Sequence, residues 1–143
     1  MSTGKATTLT GSRSPLKVLL IEDSAVIRES LSDALDSTGM LEVAGIAETA
    51  EDAVRTLKED SFDAVIVDIQ LRRGSGMDVL SYLHDAGLLP HLMAIVLTNY
   101  ALTTYRQRCQ QLGVQYFFDK SLEFDRVIEV LDDFATGRQA SAT

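Results

Sequence analysis

Several apolar runs in this sequence stop on a side chain that can bind a cation or a phosphate. Lys17 to Ile21 runs into Glu22-Asp23, Phe62 to Val67 into Asp68, Leu92 to Leu97 into Thr98, and Val114 to Phe118 into Asp119-Lys120. If Glu22, Asp23 and Asp68 meet, their carboxylates repel one another and ionise at a cost unless a cation sits among them. An oxygen-rich acidic cluster of this kind suits Mg²⁺, which takes few protein ligands and keeps some of its waters. A lysine and a threonine beside it, Lys120 and Thr98, can hold phosphate oxygens. A carboxylate, a divalent cation and a phosphate-binding cation together support acyl-phosphate chemistry. Each residue also has an ordinary reading: Glu22-Asp23 as a helix cap, Thr98 as a satisfied strand-end hydroxyl, Lys120 as a solvated surface lysine. The chemistry depends on a fold that gathers them.

The hydrophobic pattern points to such a fold. Lys17 to Ile21 is a short apolar run of strand length. Ser24 is an N-cap candidate, and Ile27, Leu31, Ala34 and Leu35 then recur at helical spacing up to Gly39. Glu42 to Ala47 reads as a second strand. A helix with Ala50, Ala53, Val54 and Leu57 on one face follows. Phe62 to Val67 is a third strand, and Met77, Leu80 and Leu83 mark a helix ended by Gly87 and Pro90. Leu92 to Leu97 is a fourth strand. Leu102, Tyr105, Cys109 and Leu112 form the face of a helix stopped by Gly113. Val114 to Phe118 is a fifth strand. Phe124, Val127, Ile128, Leu131 and Phe134 face inward from a last helix closed by Gly137. Strands apolar on both faces belong in a parallel sheet covered on both sides. The expected fold is α/β: a five-stranded parallel sheet, doubly wound (βα)5, flavodoxin-like. Sheets of this type bind ligands beyond the carboxyl ends of their strands, where the candidate residues fall.

Composition narrows the function classes. The chain has 143 residues, enough for one domain, and is 45% apolar, which argues against general disorder. Its net charge of −8 disfavours direct binding to nucleic acid. No apolar run reaches membrane-spanning length, and residues 1–15 lack the apolar stretch of a secretory signal. The single cysteine, Cys109, excludes an internal disulfide and fits a reducing cytosol, so a cytoplasmic location is expected. His84 and His91 are read as surface or loop residues without a site role. Residues 1–15 are expected to be a flexible leader and 138–143 a flexible tail, around a domain spanning 16–137.

The motifs LLIEDS (19–24), VIVDIQLRRGSG (65–76), IVLTNY (95–100) and FFDKS (117–121) resemble the receiver domains of bacterial response regulators. Spacings agree as well: 45 residues from Asp23 to Asp68, 30 on to Thr98 and 22 on to Lys120. The resemblance covers residues 16 to 137 and implies a role for each position. Asp68 is then the nucleophile that accepts phosphate from a phosphohistidine. Asp23 binds Mg²⁺ directly and Glu22 partly through water, with Asp68 and the main-chain carbonyl of Gln70 completing the protein ligands. Lys120 pairs with the phosphoryl oxygens, and Thr98 donates a hydrogen bond to them. Phe117 matches the aromatic position that turns inward when Thr98 is drawn toward phosphate. The implied partners are a histidine kinase or histidine phosphotransfer protein and a downstream protein target, met through residues 101–137. A receiver standing alone would act as a switch, relay or sink for phosphate and would catalyse only its own phosphorylation and dephosphorylation. Four positions depart from the common pattern: Arg72 and Ser121 stand where proline is usual, Asn99 where a small residue is usual, and Phe117 where tyrosine is frequent.

Three other readings compete. A degenerate receiver would bind partners without phosphorylation, but Glu22, Asp23, Asp68, Thr98 and Lys120 are all present. A phosphoaspartyl hydrolase would carry a second acid at position 70, where this chain has Gln70. A flavin carrier on a similar sheet needs a Ser-, Thr- and Gly-rich loop after the first strand, where this chain has Glu22-Asp23.

Overall fold

The computed structural model describes residues 15–89, 91–99 and 101–142, with side chains described through residue 137. Pro90, Tyr100 and all of the expected leader except Pro15 lie outside the described residues. The strands are β1 (Leu16–Ile21), β2 (Leu41–Ala47), β3 (Ala64–Val67), β4 (Met93–Thr98) and β5 (Tyr116–Asp119). The helices alternate with them: α1 (Ala25–Asp36), α2 (Ala50–Glu59), α3 (Gly76–Asp85), α4 (Thr103–Leu112) and α5 (Phe124–Ala142). All neighbouring strands are parallel, and the five lie in the order β2-β1-β3-β4-β5. The doubly wound (βα)5 sheet expected from the hydrophobic pattern is thus the fold of the chain. None of its described helices is long and apolar enough to cross a membrane.

Alternation along the strands builds two cores. Successive side chains of a strand point to opposite faces. Val18 and Leu20 of β1 join Ile66, Ile95 and Leu97 under α1 and α5, which supply Leu31, Leu35, Val127 and Leu131. Leu19 and Ile21 join Val65, Val67 and Val96 on the other face, under Ala53 and Leu57 of α2, Leu80 and Leu83 of α3, and Cys109 and Leu112 of α4. Each fully buried leucine contributes about 2 kcal/mol, so the sheet is fixed tightly between its helices. The register of β1 on β2 slips between Val18 and Leu19, where Leu19 meets Gly45. A Cβ on Gly45 would lie 3.1 Å from Leu19 Cδ1 and 3.2 Å from Phe62, so a larger residue would require those side chains to give way.

Caps set where the helices begin. Ser24 accepts the Ile27 amide at the start of α1, and Thr49 accepts the Asp52 amide at the start of α2. Ser75 caps α3 by accepting the Met77 amide while Asp78 returns a bond to the Ser75 amide. At the far end of α4, Gly113 takes φ +89, a left-handed conformation that glycine adopts without strain.

Two sequence expectations are corrected. Leu102 does not face inward from α4: it is the N-cap, without a side-chain cap bond, and is 54% exposed. Gly137 does not close the last helix, which runs on to Ala142 through the span read as a flexible tail. Glycine stops a helix when it turns left-handed, and Gly137 is not among the glycines with positive φ. Inside a helix it costs about 1 kcal/mol, which the buried Leu131 and Ala135 offset.

Candidate functional site

Register brings the strand ends together. Ile21 is paired with Val67, so the next residues, Glu22 and Asp68, emerge side by side at the carboxyl edge. The Asp68 amide donates to the Ile21 carbonyl at 3.0 Å and locks that placement. β1 and β3 are also where the chain reverses its direction across the sheet, the crevice in which open α/β sheets bind ligands. On the other side Thr98 pairs with Asp119, and the Lys120 amide donates to the Thr98 carbonyl at 2.9 Å.

Lys120 reaches across the strand ends to both acids. Its Nζ lies 2.8 Å from Glu22 Oε1 and 2.9 Å from Asp68 Oδ2. The three side chains are only 8%, 4% and 8% exposed for Lys120, Glu22 and Asp68. The remaining oxygens of the two acids bond to backbone: the Ser24 amide donates to Glu22 Oε2 at 3.1 Å, and the Gln70 amide to Asp68 Oδ1 at 3.2 Å. Burial pushes the Glu22 carboxyl above its ordinary value, against the pull of Lys120. For Lys120, burial works against the ammonium, but the hydrogen bonds and charges of Glu22 and Asp68 outweigh it and raise its pKa. The ammonium is therefore held firmly charged beside two acids that burial would otherwise penalise.

Asp23 differs from its neighbours in being exposed. Glu22, Asp23 and Asp68 each offer a carboxylate oxygen within 4.8 Å of the others. Three hard oxygen donors at this spacing, one of them open to solvent, fit a partly hydrated divalent cation. They border a cleft of about 250 Å³ that Ser24, Ile27, Gln70, Leu71, Asn99 and Lys120 also line.

Not every candidate residue faces this cleft. Thr98 is fully buried and is not among the residues that line the cleft. Phe117 is half-buried on the opposite side of β5's end, packed against the α2–α3–α4 core. Two arginines that sequence reasoning passed over also bear on the site. Arg28 of α1 donates to the Glu22 carbonyl at 3.0 Å, bracing the acidic turn. Arg106 of α4 donates to the Phe117 carbonyl at 3.1 Å. Neither residue falls at a strand end, so the pattern that located the acids could not locate them.

The loop after Asp68 is held as tightly as the acids. The Gly76 amide donates to the Ile69 carbonyl at 2.8 Å, and Thr49 and Arg73 form a parallel bridge to the β2–α2 turn. A Cβ on Gly76 would strike the main-chain carbonyl of Asp68 and lie 2.8 Å from Val67 Cγ1. The start of α3 therefore sits directly against the backbone of Asp68.

Known proteins share this arrangement of elements. A CheY-like response regulator receiver domain protein from Methanospirillum hungatei superposes with a TM-score of 0.77 at 22% identity, over 91% of this chain and 100% of that one. The polar-differentiation response regulator DivK of Brucella anthropi is 25% identical over 120 residues, spanning 84% of this chain and 96% of DivK. Protein-glutamate methylesterase/protein-glutamine glutaminase 3 of Syntrophomonas wolfei is 34% identical over 106 residues, 73% of this chain but only 30% of that protein. The model of the response regulator receiver domain matches residues 18–132, and with the fold and the acidic strand ends in agreement, the chain belongs to that family.

Proposed function

We propose that this receiver accepts a phosphoryl group on Asp68 from a phosphohistidine of a sensor kinase or phosphotransfer protein, in a Mg²⁺-dependent reaction. The observation that carries the reading is the contact of Lys120 with both Glu22 and Asp68 at the edge of an acidic cleft. An Asp68 carboxylate oxygen forms the new O–P bond as the N–P bond of the donor breaks. Lys120 then exchanges its carboxylate contact for the phosphoryl oxygens and offsets their charge. Thr98 donates its hydroxyl proton in a hydrogen bond to the same group. Asp23, Asp68, the Gln70 carbonyl and, partly through water, Glu22 would hold Mg²⁺, which when bound removes the repulsion between acid and incoming phosphate. Phosphorylation shifts an equilibrium between arrangements of the α4–β5–α5 face, through which the receiver meets its protein target.

Intact mass after incubation with Mg²⁺ and acetyl phosphate tests the reading. The parent should gain one phosphoryl group and Asp68→Asn none. A parent that gains no mass but still binds a partner would favour the phosphorylation-independent module instead. Label that persists on another residue in Asp68→Asn would refute the acceptor.

A further inference from the structure

Arg106 grips Phe117 twice. Its guanidinium carbon sits 4.5 Å from the centroid of the Phe117 ring, and its Nη1 donates to the Phe117 carbonyl at 3.1 Å. The ring is thereby held between the arginine and the core cluster that contains Val96, Cys109 and Leu112. On the other face of the same edge strand, Arg126 lies over Phe118 at 5.4 Å with a side chain 60% exposed, a looser contact. Arg106 is half-buried, so its contact is less screened by solvent.

The grip falls on the segment that carries Lys120. Phe117 pairs in register with Val96, and three residues later the Lys120 amide is bonded to the Thr98 carbonyl. A shift of Phe117 therefore moves β5 relative to the strand end that holds Thr98. Arginine suits both contacts at once, because its planar fork can lie over a ring and still direct an N–H to a carbonyl. Lysine, a compact ammonium, cannot do both from one position.

We propose that Arg106 is a latch on β5: a positioning residue that, by holding the Phe117 ring and carbonyl to α4, opposes the rearrangement that phosphorylation of Asp68 favours. The inference rests on the receiver reading for its link to Asp68. The latch itself is a property of α4 and β5 alone. Linkage requires that whatever opposes the rearrangement also opposes phosphorylation, and by the same factor at equilibrium. Releasing the latch therefore makes the site easier to phosphorylate.

Two variants of the full chain separate the latch from simpler roles. Arg106→Met keeps an apolar cover on the ring and loses the charge and the hydrogen bond. Arg106→Lys keeps the charge and loses the double contact. If Arg106 served only as apolar cover, Met would match the parent; if it served only as a charge near Asp119, Lys would match it. The latch predicts that both depart from the parent in the same direction. Hydrogen exchange without metal should quicken roughly fivefold over residues 114–120 in both variants, the scale of a lost cation–π contact and hydrogen bond, with β1 unchanged. Phosphorylation by acetyl phosphate at saturating Mg²⁺ should reach a higher fraction in both. Unchanged exchange over 114–120, an equal rise in β1, or a phosphorylated fraction no higher than the parent's overturns the proposal. Failure of the receiver reading would show separately, as a parent that gains no phosphoryl mass, and exchange without metal would then decide the latch on its own.

Discussion

Lys120 Nζ stands 2.9 Å from Asp68 Oδ2 and serves as the counter-cation of a carboxylate buried at the end of β3. The same ammonium lies 2.8 Å from Glu22 Oε1, so one positive charge is shared by two buried acids. That sharing has consequences for stability, for metal binding and for what can be read from the sequence.

Removing the ammonium should destabilise the fold through the charges it leaves behind. Lys120→Met places an apolar chain between Glu22 and Asp68 and strips both of their partner. Breaking a buried ion pair on one side costs about 3 kcal/mol. Protonating one acid relieves the repulsion, so the penalty should shrink on acidification. The sign follows from linkage: a carboxyl whose folded pKa is raised above its ordinary 4.5, as burial raises Glu22, makes stability fall as pH climbs through the window between the two values. Lys120→Met extends that window upward. Urea midpoints across the acid range test this, and a constant offset from the parent would show that the two acids do not feel Lys120.

Metal binding should separate the same residues differently. Asp23 is exposed and borders the cleft, free of the burial that constrains its neighbour Glu22. Glu22 already gives one oxygen to Lys120 and the other to the Ser24 amide. Asp23→Ala should therefore lose most of the Mg²⁺ affinity measured by calorimetric titration. Lys120→Ala should keep it or bind more tightly, because a like charge has left the neighbourhood of the ion. Equal affinity in Asp23→Ala and the parent would remove Asp23 from the ligand set.

The alkaline limb of stability carries a separate signature. Burial pushes the Cys109 thiol from its ordinary 9.0 to about 11, with Arg106 opposing weakly. Below 9.0 the thiol is protonated in both folded and unfolded chains and contributes nothing. As pH rises from there toward about 11, the unfolded chain ionises first and stability falls, by about 3 kcal/mol in all. Lys120 adds a second loss above its ordinary 10.5, since its raised folded value keeps its contribution in place below that point. Cys109→Ala should flatten the first part of the limb and leave the second. Thermal midpoints that fall identically in both proteins would assign the whole limb to Lys120.

The gathering of the strand-end residues was legible in the sequence because period and length could be read together. Each apolar run ended where a parallel sheet exposes its carboxyl edge, and the register Ile21↔Val67 sets Glu22 beside Asp68 as the alternation required. Helix ends were less legible. Gly113 and Gly137 look alike in sequence, yet only Gly113 turns left-handed, because the chain must return into β5 there and has no such need at 137. Leu102 fell at helical spacing from Tyr105, but the helix starts one residue later and leaves it at the cap. Arg28 and Arg106 were invisible for a different reason. Both act on main-chain carbonyls, of Glu22 and Phe117, and an acceptor that every residue carries leaves no mark on residue type.

The lifetime of a phosphorylated Asp68 should be set by access of water. Hydrolysis needs a water in line with the bond from Asp68 to phosphorus, on the cleft side. Gln70 and Asn99 both line that cleft, two residues after the acceptor and one after Thr98. Neither is a carboxylate that could act as a base toward the water. Tyr100, two residues after Thr98 in the sequence, lies outside the described residues. Crowding without a base predicts slow autodephosphorylation. Asn99→Ala shortens a side chain that lines the cleft and Tyr100→Ala one at the next position of the chain, and each should speed phosphate release several-fold, equivalent to about 1 kcal/mol of barrier. Gln70→Glu adds a carboxylate at the cleft mouth and should also speed release, by orienting water rather than by opening space. Release of phosphate from purified phosphoprotein in excess Mg²⁺ distinguishes the two effects. If Asn99→Ala and Tyr100→Ala match the parent while Gln70→Glu is faster, the missing base limits the reaction and crowding does not. If all three match the parent, these side chains point away from the line of attack.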